Sequence, residues 1–132
     1  MFEWRLQQLA SGASLRVSEL KSTHAILRFS MNSGLTQNVF IVPYNEVWEF
    51  SVQSAIKFYN ATEFPQALLA TLFVQNSKNK RAFWCIEQLG GEYVLSGMLN
   101  FPADNLTPAE FSRICNALVT EVDKLEMVFL RR

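Results

Sequence analysis

The sequence is poor in the residues that build most catalytic and metal sites. It contains one histidine and two cysteines among 132 residues. A protein metal site usually needs about three or four such ligands close together, so a single chain is predicted to bind no metal. No nucleotide-binding or cofactor-binding motif is present, and no cofactor is expected. Because no apolar run approaches the roughly 20 residues that span a bilayer, no membrane helix is predicted.

Charge is also scarce, and it is evenly divided. Charged residues make up 18% of the chain, with 12 basic side chains against 12 acidic ones. This composition disfavours a strongly basic protein that binds nucleic acid or membrane surfaces. The opening residues Met1 to Arg5 lack the apolar stretch of a secretory signal. A cytoplasmic location is therefore expected, and it suits two separated thiols.

The chain has abundant apolar side chains. The residue types AVILMFWYC make up 49% of it, and aromatic residues 13%. A chain of this length can bury about two-thirds of the surface that its unfolded form exposes. No linker rich in proline, glycine or serine divides the sequence. Residues 1–132 are therefore predicted to form a single α+β domain.

The clearest predicted element is a helix at the end of the chain. Thr107, Pro108 and Glu110 supply an N-cap, a first-turn proline and the acid of a capping box. Apolar residues then recur at spacings of three and four over about 18 residues, namely Phe111, Ile114, Cys115, Leu118, Val119, Val122 and Leu125. The other acids near this helix, Asp123 and Glu126 included, are expected to be solvated.

A second helix is predicted from near Pro65 to about Asn76. Its main apolar stripe consists of Leu68, Leu69, Leu72 and Phe73. Another stripe on the far side consists of Ala67, Ala70 and Val74. A monomer would expose this second stripe to water, and small side chains let another backbone approach closely. The stripe Ala67, Ala70 and Val74 is therefore the predicted homodimer interface.

Strands are predicted on both sides of that helix. Residues with high strand propensity are concentrated in His24–Met31, Gln37–Tyr44 and Val47–Ser54, with Ser14–Leu20 as a further candidate. Arg81–Leu89 and Glu92–Phe101 flank Gly90-Gly91, which is expected to form a two-residue hairpin turn with both glycines at positive φ. Together these elements predict an antiparallel sheet of about five or six strands with two main helices.

The first residues fit two patterns. Phe2, Leu6 and Leu9 share a helical face, whereas Phe2, Trp4 and Leu6 alternate as in a strand. A short helix is favoured, with Gly12 just past its end. The segment from Val39 to Tyr44 is apolar at every position, so both faces of the sheet are expected to be covered. The second face would be covered by the opening segment or by another copy of the chain.

Three groups of residues invite a chemical interpretation, and each has a simpler structural one. His24 would need Ser22 or Glu19 beside it for catalysis, and an exposed edge position is favoured. Cys85 and Cys115 fit best as apolar side chains without a disulfide. The basic turn Lys78–Arg81 precedes two aromatic residues, as in some proteins that bind single strands, but a solvated turn is favoured. The protein is therefore predicted not to be an enzyme.

The order of elements and several residues resemble the YbjN family, which shares the type III secretion chaperone-like fold. The resemblance covers Thr23 to Leu125 and is carried by Phe64-Pro65 entering a leucine-rich helix, Asn76 at its end, the Lys80–Leu89 and Glu92–Phe101 hairpin, and Leu106-Thr107-Pro108. It implies a small homodimer that binds other polypeptides, or a proposed sensory-transduction regulator. Members from cyanobacteria and plastids look similar in charge and amide content. No functional residue is transferred, and the family's opening helix is usually longer.

The predicted function is accordingly a non-enzymatic, dimeric module that binds polypeptides as a chaperone or regulator. The alternative is a sensor domain that binds a small molecule or nucleic acid through the Lys78–Arg81 turn. Charge disfavours nucleic acid in that alternative.

Overall fold

A computed structural model describes residues 1–130, which form a six-stranded antiparallel sheet and three α-helices. The strands are β1 (Glu19–Leu20), β2 (Ala25–Ser30), β3 (Thr36–Tyr44), β4 (Val47–Phe58), β5 (Phe83–Leu89) and β6 (Glu92–Pro102). Their order across the sheet is β1-β2-β3-β4-β6-β5. The helices are α1 (Phe2–Gly12), α2 (Gln66–Lys78) and α3 (Pro108–Phe129). The predicted α+β class with one antiparallel sheet is confirmed.

The main core forms beneath α3. The Thr107 hydroxyl accepts the Glu110 N–H at 3.1 Å, and Pro108 lies in the first turn, as the sequence predicted. The apolar stripe of α3 packs on β3, β4 and β6. Phe50 of β4 meets Phe111 of α3 edge to face, with ring centroids 5.8 Å apart. We call this side of the sheet the inner face and the opposite side the outer face. No helix in residues 1–130 is long and apolar enough to cross a bilayer.

The opening segment is a helix, and it packs on the inner face beside α3. Its buried side chains are Leu6, Leu9 and Ala10. Arg5 donates to the carbonyl of Leu106 at 2.7 Å, which ties α1 to the start of α3. The expectation that this segment covers the second face of the sheet is therefore wrong.

The end of α1 also differs from the prediction. Gly12 is the last helical residue, with Ala13 after it, and the positive φ falls at Ser14, at 58°. A Cβ on Gly12 would lie 2.7 Å from Cγ of Pro108. Glycine is therefore required there because α1 approaches α3 closely, and its conformational freedom is not the reason.

Several boundaries differ from those predicted. Of Ser14–Leu20, two residues form β1, while β4 continues past Ser54 to Phe58 and α2 continues past Asn76 to Lys78. The pairing of β4 with β6 shifts register between Gln53 and Lys57. Such an irregularity breaks the alternation of inward and outward side chains, so the continuation of β4 has no period-two signal.

The hairpin between β5 and β6 has the predicted two-residue turn, because Leu89 pairs with Glu92. Gly90 has φ of 62°, but Gly91 lies outside the positive range. The expectation that both glycines adopt positive φ is therefore wrong. One positive φ at the first central position is the pattern of a type II′ turn.

Candidate functional site

Helix α2 lies beside β5, at the edge of the sheet, and is poorly buried. Of its 13 residues, Leu72 alone is buried, at 3% exposed. Leu72 packs with Ile56, Phe64 and Leu95 in a second, smaller core cluster. Helix α2 is therefore held to the rest of the chain along one side.

The predicted interface residues Ala67, Ala70 and Val74 are all exposed on the side of α2 opposite Leu72. Val74 is 54% exposed, and its neighbour Phe73 is 71% exposed. Phe73, a member of the predicted main stripe, lines the same groove as Leu69 and Leu72 but is largely exposed. The use of the three predicted residues as a dimer interface stays a prediction.

The strand next to α2 has a free edge. The Asn76 side chain pairs with the backbone of Trp84 at this edge. Its Nδ2 donates to the Trp84 carbonyl at 3.0 Å, and its Oδ1 accepts the Trp84 N–H at 2.7 Å. Backbone groups along a strand alternate in direction, so those of Ile86 and Gln88 point outward like those of Trp84. In residues 1–130 this part of β5 faces no other strand.

The two edges of the sheet differ in how they are protected. Natural sheets blunt their edges with short strands or with charged residues and proline. The edge strand β1 has two residues, whereas β5 has seven and contains neither lysine nor proline. Ile86 and Leu89 of β5 are 38% and 37% exposed. We call the apolar residues of this region the α2/β5 surface: Ala67, Ala70, Phe73, Val74 and Ile86.

A groove of about 430 Å³ runs along this surface, between α2 and β5. It is lined mostly by apolar side chains, including Leu69, Leu72, Phe73, Ile86 and Leu95. A groove with so few polar groups suits an apolar occupant better than a charged one.

The His24 imidazole lies at the exposed β1–β2 hairpin. Its Nε2 is 2.6 Å from Glu19 Oε2, and its Nδ1 is 3.0 Å from the Thr23 hydroxyl. The pKa of Glu19 is lowered, mainly by the hydrogen bond with His24 and secondly by the positive charge of Lys21. The predicted partner Glu19 is thus in place, but the pair lies apart from the grooves beside α2.

Both cysteines are free thiols, as predicted. Burial raises the pKa of Cys115 to about 12. Burial, and then the charges of Glu87 and Glu49, raise the pKa of Cys85 to about 11. A thiol nucleophile needs a lowered pKa, so these two side chains are not activated for covalent chemistry.

One residue of the basic turn Lys78–Arg81 forms an ion pair within the protein. Arg81 forms an ion pair with Glu110, which also pairs with Arg113. The Arg81 guanidinium lies 5.4 Å from the centre of the Phe101 ring. The Glu110 carboxylate therefore pairs with two arginines. Of the two hydrogen bonds of the predicted capping box, only the one that the Thr107 hydroxyl accepts is formed. The sensor function assigned to Lys78–Arg81 stays a prediction.

Sequence reasoning missed a buried polar network. Asp123 and Glu126 are 9% and 5% exposed, so the expectation that they are solvated is wrong. Gln37 Nε2 donates to Asp123 Oδ1 at 3.2 Å and to Glu126 Oε1 at 2.8 Å. Glu126 Oε2 also accepts the Ala55 N–H at 2.7 Å, where the ladder of β4 is irregular. The available signal was Gln37 itself, a polar residue at an inward position of β3 that needs buried partners.

The outer face has apolar side chains that belong to neither core cluster of the described residues: Ile26, Phe40, Val42, Phe83 and Met98. Glu49 and Glu87 lie on the same face. Burial, and then the charge of Glu87, raise the pKa of Glu49 above its ordinary value. The outer face is therefore an apolar surface with two electrostatically coupled carboxylates.

Two solved structures share this arrangement of helices and strands. The Yersinia pestis type III secretion chaperone SycH, solved in complex with a stable fragment of YscM2, aligns with a TM-score of 0.69 at 12% identity over 95% of this chain and 99% of that chain. YbjN from E. coli, a proposed transcription regulator, aligns with a TM-score of 0.64 at 12% identity over 96% of this chain and 90% of that chain.

No protein-family model matches the sequence, and no curated protein matches it significantly. At 12% identity the structural likeness shows the fold. The chain has the type III secretion chaperone-like fold that YbjN shares, as the resemblance in the sequence predicted.

Proposed function

We propose that this protein is a non-enzymatic module that binds polypeptides, as a chaperone or regulator, and that it acts as a homodimer. The α2/β5 surface carries the proposal, because it places exposed apolar side chains beside a free strand edge. Contiguous exposed apolar patches on soluble proteins are typical of interaction sites. Strand edges add main-chain hydrogen bonds to such a site.

The dimer is supported by the composition of the exposed side of α2. Phe73 and Val74 supply apolar area, while Ala67 and Ala70 leave room for a second helix to approach. A specific protein pair needs about 800 Å² of buried surface on each partner. A helix of 13 residues is about 20 Å long, and the adjacent β5 edge extends the surface that it offers.

The polypeptide partner is supported by the shared fold. SycH was solved with a polypeptide bound to it, and its chain aligns over nearly its full length with this one. YbjN supports the regulatory form of the proposal. Both cysteines are free thiols, which suits a reducing compartment, and we place the protein in the cytoplasm.

Binding of a permanently unfolded polypeptide tests this function. Reduced and carboxamidomethylated lysozyme is titrated into the protein and binding is followed by calorimetry, with native lysozyme as the control of equal sequence. The proposal predicts saturable binding of the unfolded form and none of the native form. Absence of binding to the unfolded form at the highest soluble concentration contradicts the proposal.

A further inference from the structure

The outer face carries a continuous row of side chains across five strands. Ile26 lies opposite Phe40, Phe40 opposite Ser51, Ser51 opposite Met98 and Met98 opposite Phe83. Four of the five side chains are apolar; Ser51 and Met98 are buried, and Ile26, Phe40 and Phe83 are half-buried. Because neighbouring strands lie about 4.8 Å apart, the row is roughly 19 Å long. We call it the outer row.

Two acidic groups of the outer face have no basic partner in residues 1–130. Glu49 lies opposite Val42, one step along the strands from the row, and Glu87 lies opposite Val94, four residues beyond Phe83 on β5. Glu87 Oε1 is buried without a hydrogen-bond partner among the described residues. The Ser96 hydroxyl is in the same state, and Ser96 is 0% exposed. Buried groups of this kind are normally hydrogen-bonded, and the Glu87 carboxylate therefore has an acceptor position that no described group fills.

The same face also carries two basic residues, Arg28 and Lys57. Lys57 Nζ lies 3.5 Å from Glu92 Oε1, whereas Arg28 keeps its charge because its Nε donates to the neutral amide of Asn38 at 3.4 Å. Glu49 and Glu87 together outweigh the single charge of Arg28, so the net charge left on the face is negative. A lysine or arginine side chain supplies both the opposite charge and several N–H donors.

A polypeptide segment bound to the outer face is expected to be helical, because its backbone hydrogen bonds must be satisfied. A sheet face presents side chains, and its backbone groups are already paired within the ladders. A segment that buries its own backbone on such a face must satisfy its hydrogen bonds internally, which an α-helix does. At 1.5 Å per residue, a helix of about 13 residues matches the outer row in length.

A second copy of the same face is a poor occupant. Two such faces packed together would bring Glu49 and Glu87 of one chain close to the same carboxylates of the other. Juxtaposed like charges suppress association. The dimer proposed above uses the exposed side of α2 and leaves the outer row available.

We propose that the outer face binds an amphipathic helix of a partner polypeptide, whose apolar side packs along the outer row and whose lysine or arginine side chains meet Glu49 and Glu87. This inference rests on the proposed polypeptide-binding function and specifies the chemistry of the partner.

The test compares two labelled synthetic helical peptides of about 14 residues, matched to the row length. They share leucines on one side and differ in carrying lysine or glutamate at the flanking positions, and binding is measured by fluorescence anisotropy. The wild type is expected to bind the lysine peptide at least about tenfold more tightly than the glutamate peptide. The double variant Glu49→Gln, Glu87→Gln is expected to lose this preference.

Three control variants make the result specific. Glu3→Gln with Asp104→Asn makes the same change of net charge away from the outer face and is expected to keep the preference. Phe40→Thr shortens the outer row and is expected to weaken both peptides. Circular dichroism confirms folding, and Glu87→Gln alone replaces the double variant if that variant unfolds.

The outcomes separate this inference from the proposed function. Equal binding of the two peptides by the wild type, or an undiminished preference in the glutamine variant, overturns the inference. If unfolded lysozyme still binds in that case, polypeptide binding stands and the outer face is not its basic-helix site. If the preference is found but unfolded lysozyme does not bind, the general chaperone function fails.

Discussion

Helices α2 and α3 differ in how much of their surface the rest of the chain buries. Helix α3 buries nine of its 22 residues over the central strands, whereas α2 buries one of 13 beyond the edge strand. Helix α3 also begins with a side-chain cap from Thr107, and α2 begins at Pro65 without one among the described residues. We infer that α3 stabilises the fold and that α2 is left exposed for a partner.

The largest expected effect comes from truncating one phenylalanine on each helix. Phe111 of α3 is 0% exposed and packs on Phe50, so Phe111→Ala is expected to lower the free energy of unfolding by about 3 to 5 kcal/mol. Phe73 of α2 is exposed, and Phe73→Ala is expected to change it by less than about 0.5 kcal/mol. Urea denaturation at a concentration where chains are separate measures both. A comparable loss for the two variants would show that α2 is part of the stabilising core.

The buried network beneath α3 is expected to give the next largest effect. Glu126→Leu removes the acceptor of the Ala55 N–H and one acceptor of Gln37, at an expected cost of about 1 to 3 kcal/mol. Glu121→Leu on the same helix is the matched control, because its side chain is 58% exposed. The control is expected to stay within about 0.5 kcal/mol of the wild type. Equal thermal denaturation midpoints for the two variants would show that the network does not stabilise the fold.

The smallest of the stability effects lies in the turn of the hairpin that joins α2 to α3. Gly90→Val forces a branched side chain to positive φ, at an expected cost of about 1 to 2 kcal/mol. Gly91→Val is expected to cost less, because Gly91 is outside the positive range and a Cβ there meets open space. Denaturation midpoints in urea compare them. A larger loss of stability for Gly91→Val than for Gly90→Val would contradict the placement of the positive φ at Gly90.

Local signals in the sequence were sufficient for the fold class. The cap at Thr107, the stripe of α3 and the Gly90 turn each involve residues close together in the chain, so spacing alone indicates them. Asp123 is buried with a hydrogen bond from Gln37, which is 86 positions away in the sequence. Helical periodicity cannot show that a polar residue faces a buried amide on a distant strand, so the network was missed.

The candidate site was only partly predictable for the same kind of reason. The spacing of Ala67, Ala70 and Val74 places them on one face of α2, and the structure confirms that placement. The outer row joins side chains of five strands, from Ile26 to Met98, and it depends on the register of four ladders. A shift of one residue in any ladder would send its side chains to the other face, which no local pattern specifies.

The central claim is that the exposed side of α2 is an interface between two chains, and light scattering coupled to size-exclusion chromatography tests it most directly. The account predicts the mass of two chains for the wild type at micromolar concentration. It predicts the mass of one chain, with an unchanged circular dichroism spectrum, for the variant Ala70→Glu, Val74→Lys. A wild type that elutes with the mass of one chain, or a variant that remains dimeric, would contradict it.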